Sequence, residues 1–143
     1  MYLKMIAFDD YEAAKVLWNQ HNTGSARSFR SISLQLMQES TEKYLKVLWA
    51  KNKEFSDVND FTEQLRKLES KHDIHRILGK LNLKYREKLE AVFKKHPFRS
   101  YQLDGLRYGT KTPLVDYNES EFRSRSIFIN EIQQLLDKKM QLN

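Results

Sequence analysis

The stretch RSFRSISLQLMQESTEKYLKVLWAK, residues 27–51, decides the fold of this chain. On a helical wheel its apolar side chains cover well over half of the circumference. The apolar positions are Phe29, Ile32, Leu34, Leu36, Met37, Tyr44, Leu45, Val47 and Leu48, and the polar ones are Gln35, Gln38, Glu39, Glu42 and Lys46. A helix that packs on one neighbour needs a stripe only about 100° wide. We therefore expect a central helix that packs on at least two sides in an all-α domain.

Length and composition fit one helical domain that spans residues 1–143. The chain has four Gly and two Pro, which favours long regular elements over strands and turns. It has no Cys, so disulfides and thiolate zinc sites are excluded. We find no apolar run near about 18 residues and no signal-peptide pattern, so we expect no membrane contact and a cytoplasmic location. The net charge of +6 favours an anionic partner, although an unspecialised basic surface explains it equally well.

Apolar periodicity and capping-box spacings predict further helices around the central one. The predicted helices cover residues 10–20 with a possible extension through 1–8, residues 61–69, a segment from 74 to 82, a helix around 85–93 and a last helix at 119–139. Residues 21–25 form a predicted turn, which would place the first two long helices antiparallel. Residues 97–118 contain Asp104-Gly105 between short alternating segments, a hairpin signal. The prediction is an antiparallel up-and-down bundle of four to five helices with a short hairpin or loop insertion near residues 97–118.

Motifs for nucleotide loops, acylation triads and metal sites are missing from the sequence. His72 and His75 stand three apart without a third ligand at a suitable spacing, which is more typical of ordinary histidines than of a metal site, so we expect neither metal nor cofactor. Arg66 and His72 have the Arg-to-His spacing that some metal-independent ribonucleases use to stabilise phosphate charge and move a proton. One such pair is also expected by chance in so basic a chain.

Two other groups of residues can bind an anion or serve the structure alone. Arg107 and Tyr108 belong to a segment in which aromatic residues alternate with cations, a pattern that can hold a phosphate and stack a base. The alternative is that the rings anchor the loop while the cations stay in water. Glu42 and Lys46, at i and i+4 on the polar strip, are first of all interpreted as a surface ion pair.

Four features taken in order resemble the HEPN domain, the higher-eukaryote and prokaryote nucleotide-binding helical family. Residues 36–49, LMQESTEKYLKVLW, are similar to the family helix with a Glu-Lys pair. Residues 71–78, KHDIHRIL, resemble its His-Asp-Leu helix start, and residues 106–109, LRYG, resemble its Arg-Tyr motif. A final amphipathic helix completes the pattern, which covers roughly residues 10–140.

This resemblance implies an antiparallel helical bundle that often forms a homodimer and binds nucleotides or nucleic acid, frequently in defence or toxin–antitoxin settings. Ribonuclease members carry Arg, four to six residues, then His within a late helix. Residues 85–108 lack that spacing, which favours a binding member over a catalytic one.

Three hypotheses follow from the residues and the resemblance together. In the first, a non-catalytic HEPN-like module binds a nucleotide or RNA or docks a nucleotidyltransferase-type partner. Lys46, His72 and Arg107 would contact the anionic group and Tyr108 would stack on a base. In the second, a metal-independent endoribonuclease uses Arg66 and His72 as catalytic residues across a dimer. In the third, the chain is a structural protein–protein interaction domain.

Overall fold

A computed structural model describes residues 2–20, 26–51, 53–68, 73–99 and 119–137 of the chain, without the side chains of residues 26–28. These residues form six helices and no strand, which confirms the all-α prediction. The helices are α1 (Tyr2–Trp18), α2 (Ala26–Ala50), α3 (Val58–Leu68), α4 (Ile74–Gly79), α5 (Leu83–Lys95) and α6 (Glu119–Asp137). Four of them are long, and the two short ones, α3 and α4, lie between α2 and α5 in the chain.

The first two helices form an antiparallel pair, as predicted, and they pack through small side chains. Ser33 Oγ donates to the Ala14 carbonyl at 2.7 Å, and Ser40 Oγ donates to the Ala7 carbonyl at 2.7 Å. Ala7 and Ala14 are seven residues apart and fully buried, and the two serines have the same spacing. Side chains this small let the backbones approach closely enough for a serine to bond across the interface. The pairing of 14 with 33 and 7 with 40 also sets the register of the two helices.

Helix α2 is the centre of the bundle, as its wide apolar surface on the helical wheel predicts. It contacts α1, α4 and α6. Every residue from Ser33 to Ala50 is buried or partly buried, although Ile32 is 46% exposed. The prediction that this helix packs on at least two sides is therefore confirmed.

Helix α6 runs parallel to α2 and antiparallel to α1. Gln133 Nε2 donates to Tyr44 Oη at 3.0 Å, and further along both helices Lys51 Nζ donates to the Leu135 carbonyl at 3.0 Å. The apolar stripe of α6 is buried at Phe128, Ile129, Ile132, Leu135 and Leu136. Helix α5 covers the other side of this stripe, where the Phe93 and Phe128 rings meet edge to face at 6.4 Å.

An aromatic stack fixes the beginning of α6 to the end of α1. The Trp18 ring lies 4.6 Å from Phe122 in a nearly parallel arrangement, and the guanidinium of Arg30 sits 4.4 Å from the Trp18 ring centroid. Trp18 Nε1 donates to Glu119 Oε1 at 3.0 Å, and Arg30 Nη2 lies 3.6 Å from the same carboxylate oxygen. The first turn of α6 is therefore held by both a stacking contact and a shared carboxylate.

Several predicted helix boundaries were wrong because a local capping signal does not say whether a helix begins there. The Asp9 and Glu12 pair, which has capping-box spacing, lies inside α1, because the helix includes the predicted upstream extension and begins at Tyr2. Helix α3 begins at Val58 rather than 61, and Asp57 Oδ1 accepts from the Asp60 N–H at 2.8 Å. Helix α4 is capped by Asp73, whose carboxylate accepts from the His75 N–H. It ends at Gly79 rather than 82.

Asn82, predicted as the end of α4, instead caps the start of α5 and accepts from the Lys84 N–H. Helix α5 ends at Lys95, close to the predicted 93, because Pro97 disfavours the helical conformation for His96. The predicted turn at residues 21–25 and the predicted hairpin at residues 100–118 lie outside the described residues. Residues 97–99 are described and form no regular element.

Candidate functional site

The polar strip of α2 faces the protein interior. Gln38 is 0% exposed, Glu42 3% and Lys46 7%, so three residues spaced one helical turn apart are removed from water. Gln38 Nε2 donates to Glu42 Oε1 at 3.3 Å. The interpretation of Glu42 and Lys46 as an exposed ion pair was therefore wrong. Lys46 belongs to a buried polar seam that runs along the central helix.

Two charged residues of α6 meet this seam from the opposite side. Arg125 is fully buried, and its Nη1 donates to Gln38 Oε1 at 3.3 Å. Its Nη2 lies 3.3 Å from Glu121 Oε1, one turn earlier on the same helix. The Phe98 ring covers the guanidinium, with its centroid 4.9 Å away. Arg125 thus links α2, α6 and the segment that follows α5.

The same two residues bind both backbone groups of Arg99. Glu121 Oε1 accepts from the Arg99 N–H at 2.8 Å, and Arg125 Nη2 donates to the Arg99 carbonyl. A buried backbone group without a partner would cost about as much free energy as a lost hydrogen bond. Residue 99 has left α5, so these side chains replace the partners that a helix would have provided. They fix the chain at the point where residues 100–118 begin.

We call Gln38, Glu42, Lys46, Glu121 and Arg125 the internal polar cluster. It contains two cations and two carboxylates, so its formal charge is zero, and all five residues are buried. Burial of separate charges is costly, and the attraction between them offsets that cost only with good geometry and further hydrogen bonds. Such a cluster is therefore weak evidence for stability and better evidence for a specific arrangement. Chemically, it can orient a backbone segment or provide a charged group next to an entering anion.

The predicted site residues are only partly within the described residues. Lys46 lies in the internal polar cluster on α2, whereas Arg66 lies on α3 with its side chain 73% exposed. Arg66 Nη2 donates to Glu63 Oε2 at 2.5 Å, and this hydrogen bond lowers the pKa of the Glu63 carboxyl. Arg66 thus has an ion-pair partner on its own helix. His72, Arg107 and Tyr108 lie outside the described residues.

The segment that contains Arg107 and Tyr108 is anchored at both ends. It leaves the described structure after Arg99, which the internal polar cluster binds, and returns at Glu119, which Trp18 binds. Both anchors involve the first two turns of α6. Arg99 and Glu119, which flank residues 100–118 in the chain, are therefore both held at the first two turns of α6.

Sequence reasoning missed Arg125, although the sequence contains a signal for it. The apolar stripe of α6 runs through Phe122, Ile129 and Ile132, and position 125 lies on the same face, three residues after 122 and four before 129. A cation within an apolar stripe indicates a buried charge that must have a partner. Glu121, one turn away, is the obvious choice.

Comparison with protein-family models, with curated proteins and with solved structures finds no match for this chain. The resemblance to HEPN domains therefore stays a prediction from its motifs. Among the described residues, no helix is long and apolar enough to span a membrane. In the same part of the chain, no group of three or more His, Asp or Glu side chains comes together in a way that could hold a metal ion.

Proposed function

We propose that this chain is a HEPN-like helical module that binds a nucleotide or nucleic acid, or docks a nucleotidyltransferase-type partner. A defence or toxin–antitoxin setting, a homodimer and a cytoplasmic location belong to the same proposal. In it, Lys46, His72 and Arg107 contact the anionic group of the ligand, and Tyr108 stacks on a base. The order and spacing of the motifs support the family part of the proposal.

The observation that carries the proposal is the burial of Lys46 within the polar seam of α2. A lysine placed only for solubility would extend into water, whereas Lys46 is 7% exposed and lies one turn beyond the buried Glu42. An anion that binds next to such a group meets a charge in surroundings of low dielectric constant, where the attraction is several times stronger than in water. Arg107 and Tyr108 lie in the chain between the anchors at Arg99 and Glu119, and the proposal assigns them to the same anion as Lys46.

The structural interaction hypothesis has an observation of its own. Glu121 and Arg125 already serve the fold by binding the backbone of Arg99, so their burial needs no ligand. For these two residues a structural role is sufficient. Lys46 and Arg107 are the residues that distinguish a binding module from a purely structural one.

The test measures ligand binding and stability in the same variants. Melting curves and isothermal titration with ATP, ADP, GTP and a short single-stranded RNA show whether the wild-type chain binds any of them. Arg107→Ala should weaken binding about tenfold, equivalent to about 1.4 kcal/mol, and leave the melting temperature nearly unchanged. Lys46→Met, which keeps the side-chain length and removes the charge, should also weaken binding.

Arg123→Ala is the matched control, because Arg123 is an exposed cation on α6 next to the anchored segment. It should leave both readouts unchanged. If no nucleotide or RNA shifts the melting curve of the wild-type chain, nucleotide binding is wrong. If Arg107→Ala lowers the melting temperature by several degrees while binding persists, Arg107 belongs to the structure and not to the site.

A further inference from the structure

Helix α5 concentrates positive charge more than any other described feature of the bundle. Between Leu83 and Lys95 it carries five basic and two acidic residues, a net +3, which is half of the +6 of the entire chain. The apolar side of this helix, with Tyr85 and Leu89, is buried against the bundle. The charge is therefore displayed on the side that points away from the core.

Three lysines of α5 form one continuous stripe on that outer side. Lys84, Lys88 and Lys95 are separated by four and seven residues, which places them on a single face of a helix. All three are exposed, and Ala91 occupies the position between the last two without filling it. With a rise of about 1.5 Å per residue, the stripe is about 16 Å long.

Several surface cations elsewhere in the bundle have ion-pair partners, in contrast to this stripe. Lys15 pairs with Glu12, Lys43 with Asp10 and Arg66 with Glu63. On α5 itself, Arg86 lies 3.8 Å from Glu90. Among the described residues, Lys84, Lys88 and Lys95 make no ion pair or side-chain hydrogen bond. Their charges are thus available to an external anion.

We infer that the stripe of Lys84, Lys88 and Lys95 is a contact surface for the phosphate backbone of a nucleic acid. A membrane-binding basic helix would carry large apolar side chains beside its lysines. Here the only apolar residue within the stripe is Ala91, the exposed Glu87 flanks it, and the exposed Leu83 lies about a quarter turn away from Lys84 at the helix start. A protein interface would require an apolar centre that this face lacks. A row of separated cations without apolar anchors fits a repeating polyanion.

This inference rests on the proposed binding function and names its ligand class, and it concerns a different surface from Lys46. Backbone contacts of this kind carry no sequence information, so binding should be general for nucleic acid and steeply dependent on salt. For single-stranded RNA, each neutralised phosphate contributes a slope of about −0.7 to the plot of log affinity against log salt. Three lysines should together account for a slope of about −2.

The experiment measures binding of fluorescently labelled RNA by anisotropy at several salt concentrations. The probes are a single-stranded RNA of about 20 nucleotides and a duplex RNA of about 20 base pairs, a size that spans the stripe. Wild-type chain is compared with the triple variant Lys84→Gln, Lys88→Gln, Lys95→Gln. We expect its salt slope to be shallower by about 2 and its affinity near 0.1 M salt to be lower by roughly 10- to 100-fold.

Two control variants separate the position of the charges from their number. Lys53→Gln, Lys67→Gln, Lys80→Gln removes three exposed charges from outside α5, and its slope should remain that of the wild-type chain. The triple Lys-to-Arg variant at 84, 88 and 95 keeps the charges and should bind like the wild-type chain. Melting curves of all variants confirm that the exposed substitutions leave the fold intact.

The outcomes distinguish this inference from the proposed function. If the wild-type chain binds neither RNA, or if both glutamine variants lose the same slope, the stripe is not a nucleic-acid surface. The nucleotide site at Lys46 and Arg107 could still be correct in either case, as judged by its own titrations. If the glutamine variant of the stripe loses RNA affinity while Arg107→Ala changes the affinity for no ligand, the stripe is a nucleic-acid surface and the nucleotide site is wrong.

Discussion

Replacement of Arg125 by Met tests whether the internal polar cluster is a cooperative structural unit. Methionine has a similar length and is apolar, so it suits the stripe of α6 on either side of position 125. It cannot donate a hydrogen bond. The substitution therefore leaves Gln38 Oε1, the Glu121 carboxylate and the Arg99 carbonyl without the partner that they share in the wild-type chain.

Two opposing effects determine the magnitude. Removal of one partner from a buried ion pair costs about 3–5 kcal/mol, because the remaining charge is left in the interior. Burial of the methionine side chain offsets about 1.5 kcal/mol of this loss of stability, because position 125 is fully buried. The stranded carboxylate of Glu121 outweighs the gain from methionine, so we expect a net loss of about 3 kcal/mol. For a domain whose total stability is on the order of 5–15 kcal/mol, that is a large fraction.

Urea unfolding followed by circular dichroism at about 222 nm, the wavelength of the helical signal, provides the measurement. Arg123→Met is the matched control, with the same substitution two residues earlier at an exposed position of α6, and it should change stability by less than about 0.5 kcal/mol. The double variant Glu121→Gln, Arg125→Met should cost less than the sum of the two single variants, because no ionised carboxylate is then stranded. If Arg125→Met costs no more than Arg123→Met, or if the two cluster substitutions are additive, the cluster is not a cooperative unit.

Two further predictions concern the close helix pair and the buried tyrosine. Ala7→Leu adds three carbons at a fully buried contact between α1 and α2, and it should destabilise the fold by about 1–3 kcal/mol in thermal unfolding. The control Ala91→Leu, on the exposed face of α5, should be nearly neutral. Equal melting temperatures for the two variants would contradict the close packing of α1 on α2. Burial raises the pKa of the Tyr44 phenol above its ordinary value of 10.0, so the folded state favours the neutral form. The resulting contribution to the free energy of unfolding is fully present below pH 10, and it is lost as pH rises through the higher pKa of the folded state. In Tyr44→Phe the free energy of unfolding should therefore decrease less between about pH 9 and 11 than in the wild-type chain. The control Tyr2→Phe, at a residue that is 76% exposed, should behave like the wild-type chain. Identical pH profiles for Tyr44→Phe and the wild-type chain would refute this reasoning.

The central position of α2 could be predicted because it depends on one regular quantity, the angular width of the apolar surface. A wide apolar arc requires several neighbours whatever those neighbours are. The last helix could be predicted equally well, because its apolar stripe repeats along the whole of α6. The first residues of the helices were harder to predict, because residue pairs with capping-box spacing also occur by chance inside helices. Asp9 and Glu12 form such a pair inside α1, and the contact between Ala7 and Ser40 lies in the upstream extension of that helix.

The surroundings of the predicted site residues could not be read from the sequence, and Lys46 shows why. Lys46 was singled out from the sequence, and the structure places it in the interior rather than at the surface. The polar arc of a helical wheel shows which residues share a face, but it does not show whether that face meets water or another polar surface. The second possibility requires a partner, and here the partner is the charged pair at positions 121 and 125, with Arg125 lying 87 residues beyond Gln38 in the chain.

The parallel arrangement of α2 and α6 explains why the polar arc ends up inside. Both helices carry wide apolar faces that need several neighbours: α2 packs on α1, α4 and α6, and α6 packs on α2 and α5. Each helix then turns part of its polar arc toward the other, and the cost of burial falls if the arcs are complementary. Gln38 and Glu42 on one side and Glu121 and Arg125 on the other satisfy this condition through hydrogen bonds. The same contact also binds the backbone of Arg99, so the residues that join α2 to α6 fix the position of the chain just after α5 as well.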